Sequence, residues 1–246
     1  DPLKTALPKK ESKPLELPKC SDGTLELESG TYEVTQLHEI PEACNLSSNG
    51  ATLLLSAPLI FLKTARFEGK LSVKGLGSLF GPCFEFEEHA FIQSSAEMHF
   101  ADCHNVDEDE EDEEEKKISA DGGAIYVGGN LTVTGNLSIH NCSADYGGGI
   151  YVEHNFANSG GNIKISGSSA SYAGGGIYVH ENFTNSEGKI DIAMSSAEES
   201  GGGIYVQESF TNSRGKIDIA GSSSSESGGG IYVRQSFTNS RGKIQI

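Results

Sequence analysis

The chain has no tryptophan, two methionines and five cysteines among 246 residues, and only 36% of it is hydrophobic. That is too little apolar material for a compact two-layer globule of this length. No run of about 18 apolar residues occurs, which argues against a transmembrane helix in this sequence. The longest mainly apolar stretch, 51–62, is interrupted by Thr52, Ser56 and Pro58. Basic residues are scarce too: 18 Lys and Arg stand against 35 Asp and Glu, a net charge of −17. Nucleic acid is therefore not an expected partner, because phosphate binding needs clustered Lys and Arg. Anionic headgroups would likewise be repelled. The start, Asp1-Pro2-Leu3-Lys4, carries neither an initiating Met nor a signal peptide and reads as processed, trimmed or fragmentary.

What the chain does have is glycine, 31 residues, and serine runs such as Ser222-Ser223-Ser224-Ser225. Both point to an elongated body of thin stacked coils. Residues 1–19 hold four of the seven prolines and are expected to form a flexible leader. Residues 20–105 read as an N-terminal cap followed by irregular coils, with short apolar runs such as Leu53-Leu54-Leu55 and Phe84-Glu85-Phe86. Residues 106–121 hold the acidic run and are expected to form a disordered loop, and 122–246 hold regular repeats of 25 to 27 residues that stop in mid-repeat at Ile246.

The repeat is explicit. Ile125-Tyr126-Val127, Ile150-Tyr151-Val152, Ile177-Tyr178-Val179, Ile204-Tyr205-Val206 and Ile231-Tyr232-Val233 advance by 25, 27, 27 and 27 residues. Six residues past each Ile stands Leu131, Phe156, Phe183, Phe210 or Phe237, and paired isoleucines such as Ile190 and Ile192 follow. The fold expected is all-β: a right-handed single-stranded parallel β-helix of pectin-lyase-like form, with three short strands per coil. A strand of three or four residues cannot bury its apolar side alone, whereas stacking at about 4.8 Å puts like residues into columns. The isoleucines then point inward while Lys164, Asp191 and Asp218 point out. The Gly triplets before each Ile-Tyr-Val suit sharp corners. The Asn two residues after each Phe suits either a left-handed corner or an amide ladder. Lys189 and Lys216 stack as like charges, offset diagonally by Asp191 and Asp218.

Candidate chemistry is sparse. Cys20 and Cys44 flank the cap and are candidates to staple it. Cys103 and Cys142 occupy one repeat position on adjacent coils, either paired or as buried thiols, which leaves Cys83 over. Five Asn-x-Ser/Thr sequons stand at Asn45, Asn130, Asn136, Asn141 and Asn182 as glycosylation candidates. The run Asp107, Glu108, Asp109, Glu110, Glu111, Asp112, Glu113, Glu114 and Glu115 would attract cations weakly, but it lacks the Gly turns and fixed ligands of a calcium site. Catalytic residues, cofactors and bound metals are therefore not expected. The alternatives are a polysaccharide lyase or hydrolase, which needs paired carboxylates or acidic metal ligands on one face, and an acidic cation-binding matrix protein.

Gly122-Gly123-Ala124-Ile125-Tyr126 and its Gly-Gly-Ile-Tyr copies resemble the Gly-Gly-Ala-Ile hallmark of the chlamydial polymorphic outer-membrane proteins. Where that family has Phe-x-x-Asn just upstream, this chain reads Phe100-Ala101-Asp102-Cys103 and Ile139-His140-Asn141-Cys142. The resemblance covers about residues 100–246 and implies the passenger region of an adhesive surface β-helix, which in that family precedes a membrane barrel. The function expected is a non-enzymatic adhesion or scaffold protein at the cell surface or outside the cell, its partner an extracellular protein or glycan surface.

Overall fold

The computed structural model describes residues 14–106 and 120–246. Among them the chain is all-β, with no helix, and so none long and apolar enough to cross a membrane. Its strands form three sheets of 16, 8 and 6 strands, and the pairings between named strands are parallel throughout. Ile177–Val179 pairs with Ile150–Val152 on one side and Ile204–Val206 on the other, residue for residue. Each later unit thus lies against its predecessor with like residues in register.

The expected three strands per unit are four in the structure. One unit runs Ile177–Val179, Asn182–Ser186, Lys189–Ala193 and Ser196–Ala197. The first belongs to the 8-stranded sheet, here the tyrosine sheet; the next two belong to the 16-stranded main sheet; the last belongs to the 6-stranded serine sheet. The serine strands show no apolar run, because they need none. Backbone pairing such as Ser169↔Ser196 and Ser196↔Ser223 holds them.

Four corners separate the strands, and three of them carry a residue with positive φ. Between the main-sheet strands it is Gly160, Glu187, Arg214 or Arg241. Between the main and serine sheets it is Asp102, Asn141, Gly167, Met194 or Gly221. Before the tyrosine strand it is the first Gly of each triplet, as at Gly174 and Gly201. The other two glycines of a triplet answer to crowding: a Cβ on Gly175 would meet the Ser196 carbonyl at 2.1 Å, and one on Gly176 the Gly203 carbonyl at 2.6 Å. In the early units Asn45–Leu55 and Ala65–Gly75 run through the first corner unbroken, kinked at Gly50 and Gly69, and join the halves of the main sheet.

The interior is one continuous apolar column. Ile163, Ile190 and Ile217 are fully buried, and Phe156, Phe183 and Phe210 stack at 4.8 Å. Each such side chain contributes about 1.5–3 kcal/mol when buried. At the N-terminal end Leu15 donates its backbone N–H to the Thr31 carbonyl, and Leu17 packs on the core, so residues from Pro14 onward belong to the first unit rather than to a leader. Residues 1–13 lie outside the described residues.

Among the described residues Met194 is the one apolar side chain at a left-handed corner. It holds φ 53 with its side chain 69% exposed, where the neighbouring units use Gly167 and Gly221. A left-handed non-glycine residue costs roughly 1–2 kcal/mol, and the extra freedom of glycine in the unfolded chain offsets about 0.5–1 kcal/mol of that. Met194→Gly is expected to stabilise the chain by about 0.5–1 kcal/mol, seen as a higher urea midpoint.

Candidate functional site

The most regular surface is the outer side of the tyrosine sheet. In each Ile-Tyr-Val strand the period of two sends Ile and Val inward and Tyr outward. Tyr126, Tyr151, Tyr178, Tyr205 and Tyr232 therefore form one column, with ring centroids 5.2, 4.9, 4.8 and 5.2 Å apart and ring planes within 14° of parallel. Tyr146, from the serine sheet, sets its edge on Tyr178 and stacks on Tyr172. The column begins at buried Glu85, which pairs in register with Tyr126.

Beyond each Val the chain turns and carries two polar residues. Glu153 and His154 stand in one unit, His180 and Glu181 in the next, so a carboxylate faces an imidazole in both columns. His154 Nδ1 lies 2.8 Å from Glu181 Oε1, and His180 Nδ1 lies 4.0 Å from Glu153 Oε1. Tyr151 donates its hydroxyl to Glu153 Oε2 at 2.7 Å, and Tyr178 donates to Gln207 Oε1 at 3.2 Å. Because the rings lie face to face, the column offers edges and hydroxyls rather than open faces. Only Tyr172, 42% exposed, leaves much of its ring to solvent.

Burial pushes the Tyr126 phenol up to about 12, reinforced by Glu153 and Asp121. Burial also raises Tyr151, with its hydrogen bond to Glu153 second, and Tyr178, with Tyr205 second. The folded chain thus keeps protons that the unfolded chain releases near pH 10. The contribution of these tyrosines to stability is complete below about pH 10 and falls as pH rises toward 12. Melting temperatures measured at stepped alkaline pH should show that fall, and Tyr151→Phe should make it shallower.

Alongside, the outer side of the serine sheet is an open trough of about 800 Å³. Ala144, Ala170 and Ala197 line it, with hydroxyls such as Ser196 and carboxylates at Asp145 and Glu198. Among the described residues no three His, Cys, Asp or Glu side chains gather as metal ligands. The acidic run, Asp107 to Glu115, lies outside the described residues.

Two disulfides are formed, Cys20–Cys44 and Cys83–Cys103, and Cys142 is a buried free thiol. The pairing of Cys103 with Cys142 is thereby corrected, and Cys83 is not left over. Stacked positions on parallel strands hold their Cβ atoms near the 4.8 Å strand spacing, wider than the roughly 3.8 Å a disulfide prefers. Cys83 instead places its Cα 5.8 Å from that of Cys103. Burial pushes the Cys142 thiol up to about 12, which makes it unreactive.

The sequons divide into two groups. Asn45, Asn136 and Asn141 are exposed, whereas Asn130 and Asn182 are half-buried in a ladder with Asn155 between them. Asn155 Nδ2 donates to Asn130 Oδ1 and Asn182 Nδ2 to Asn155 Oδ1, both at 2.9 Å. Composition cannot reveal that ladder; the recurrence of Asn130, Asn155 and Asn182 just before the Leu or Phe was the available signal. A second ladder joins Asn158, Asn185 and Asn212, all fully buried, to the exposed Asn239. These asparagines lie within or at the end of strands, so the left-handed corner falls two residues later. The lysines pair with the aspartate two residues along their own strand, Lys189 with Asp191 and Lys216 with Asp218.

No known protein family, curated protein or solved structure matches this chain.

Proposed function

We propose that the chain is a right-handed parallel β-helix that acts, without catalysis, as an adhesive or scaffolding surface outside the cell or on it. The handedness rests on the rule that crossovers between parallel strands of one sheet are right-handed in about 98% of cases. The observation that carries the function is the tyrosine column, five side chains in register, of which Tyr151 and Tyr178 are buried among their neighbours and Tyr126, Tyr205 and Tyr232 are half-buried, with polar residues repeated beside it. A rigid array of equivalent weak sites gains avidity against a repetitive partner without any strong single site. Two disulfides favour an oxidising compartment. The likeness of Gly122-Gly123-Ala124-Ile125 to chlamydial surface passengers agrees with both. An extracellular protein or glycan surface is the partner class, since net charge −17 disfavours nucleic acid and anionic lipid.

The test is capture by beads coated densely with the chain, against a panel of glycans and extracellular-matrix proteins. On at least one surface, beads should bind about 100-fold or more tightly than the free chain. Tyr151→Ser, Tyr178→Ser and Tyr205→Ser should each weaken capture in steps. Absence of bead capture across the panel, or capture indifferent to all three substitutions, overturns the reading.

A further inference from the structure

The five sequons are not equivalent in the fold, and their placement follows the surfaces. Asn45 and Asn136 open main-sheet strands and are exposed, and Asn141 is exposed at the corner toward the serine sheet. Asn141 gives one amide N–H to Asp102 Oδ1 at 2.8 Å. The equivalent position in the next unit is Gly167, where an added Cβ would meet nothing within 4 Å, so the space above Asn141 is open. Asn182 opens and Asn130 immediately precedes a main-sheet strand as well, but at the edge next to the tyrosine sheet, each just past its Ile-Tyr-Val strand. Asn130 is held on both sides: its backbone N–H donates to His89 Nδ1 at 2.9 Å, and its Oδ1 accepts the backbone and side-chain N–H groups of Asn155. Asn182 lies between Asn155 and Ser209 in the same half-buried column.

We infer that Asn45, Asn136 and Asn141 are N-glycosylation sites and that Asn130 and Asn182 are not, so that glycans cover the main-sheet side and leave the tyrosine side bare. In the transfer, the side-chain Nδ2 attacks the anomeric carbon of a lipid-linked diphospho-oligosaccharide. The new N–C bond forms as the C–O bond to phosphate breaks; the lipid diphosphate leaves and the amide gives up one proton. The remaining N–H is enough for the bond from Asn141 to Asp102. Asn130 and Asn182 are half-buried with Asn155 set between them, so a sugar on either would have to displace that ladder, whereas the exposed Asn45, Asn136 and Asn141 need no such displacement. This assignment rests on the extracellular reading and adds which face meets the partner.

The experiment is expression of the chain through a eukaryotic secretory pathway, with site occupancy mapped by mass spectrometry before and after amidase release of the glycans. Occupancy is expected at Asn45, Asn136 and Asn141. Asn136→Gln should remove one glycan from the secreted chain, and Asn182→Gln should remove none. Occupancy of Asn182 or Asn130 equal to that of Asn136 overturns the assignment. So do three bare sites in cells that glycosylate a control protein. If the glycans form and bead capture fails, only the adhesive reading falls; if capture stands and the three asparagines stay bare, only this assignment falls.

Discussion

Asn185→Ala is expected to cost about 3–4 kcal/mol, most of it from one orphaned oxygen and a buried void. Asn185 is fully buried. Its Nδ2 donates to the Gly188 carbonyl at 3.2 Å and to Asn212 Oδ1 at 2.9 Å, and its Oδ1 accepts from Asn158 Nδ2 at 3.0 Å. Truncation leaves Asn212 Oδ1 with no donor, and Asn158 keeps only the Gly161 carbonyl. The cavity cannot collapse, because Gly188 packs directly on the Asn158 amide: a Cβ there would lie 2.2 Å from its Nδ2. The ladder already leaves one oxygen without a partner, Asn158 Oδ1 at its first rung, above Val133. That register position takes Val in the preceding unit, so an apolar column is sterically acceptable there. Changing Asn158, Asn185, Asn212 and Asn239 together to Val is therefore expected to cost less than Asn185→Ala alone, since no partner is stranded. Urea melts of the two variants decide it: a quadruple variant as unstable as four independent losses would mean the ladder acts through shape rather than satisfied bonds.

The columns were legible in the sequence because each follows from a period. Ile-Tyr-Val recurs at 27 residues in its last three steps, and the alternation in Lys189-Ile190-Asp191-Ile192 declares which side is dry. Most of what was not legible depends on contacts between units rather than on pattern within one. The strand Ser196–Ala197 carries no hydrophobic signal and exists because Ser169 and Ser223 lie on either side. The corner at Met194 was hidden for the same reason. A left-handed Met is unexpected in isolation, and only its alignment with Gly167 and Gly221 makes it readable. The Cys83–Cys103 bond spans 20 residues within one irregular early unit, from just before Phe84–Phe86 to just after Glu97–Ala101, where no period was available to bring Cys83 beside Cys103. The outward tyrosines were visible as a repeated letter, but that Tyr146 and Tyr172 join them from another sheet was not.

Deleting residues 191–217 is expected to leave a folded chain, shorter by one unit, and deleting one residue fewer, 191–216, is expected to unfold everything beyond the junction. In the first variant Ile190 is followed by Asp218, so the strand still reads Lys-Ile-Asp-Ile, and the Asn185 amide meets Asn239 as it met Asn212. Stability in stacked repeats is close to a sum of unit and interface terms. The loss should therefore be one increment, with a cooperative melt preserved. In the second variant Ile190 is followed by Ile217, and one extra residue enters a strand whose faces alternate with a period of two. Ile219 then turns to solvent while Asp218 turns into the column now filled by Ile192, Ile219 and their neighbours. An unpaired carboxylate there costs several kcal/mol, more than the strand's own isoleucines contribute. Slipping the extra residue out as a bulge would spare the aspartate, but it would break the one-to-one pairing of Lys189–Ala193 with Asn162–Ser166. Circular dichroism and limited proteolysis separate the outcomes: the first variant should resist cleavage along its length, and the second should be trimmed back to the units before residue 190. If both variants resist equally, the corners absorb a residue freely, and strict register is not what holds the stack together.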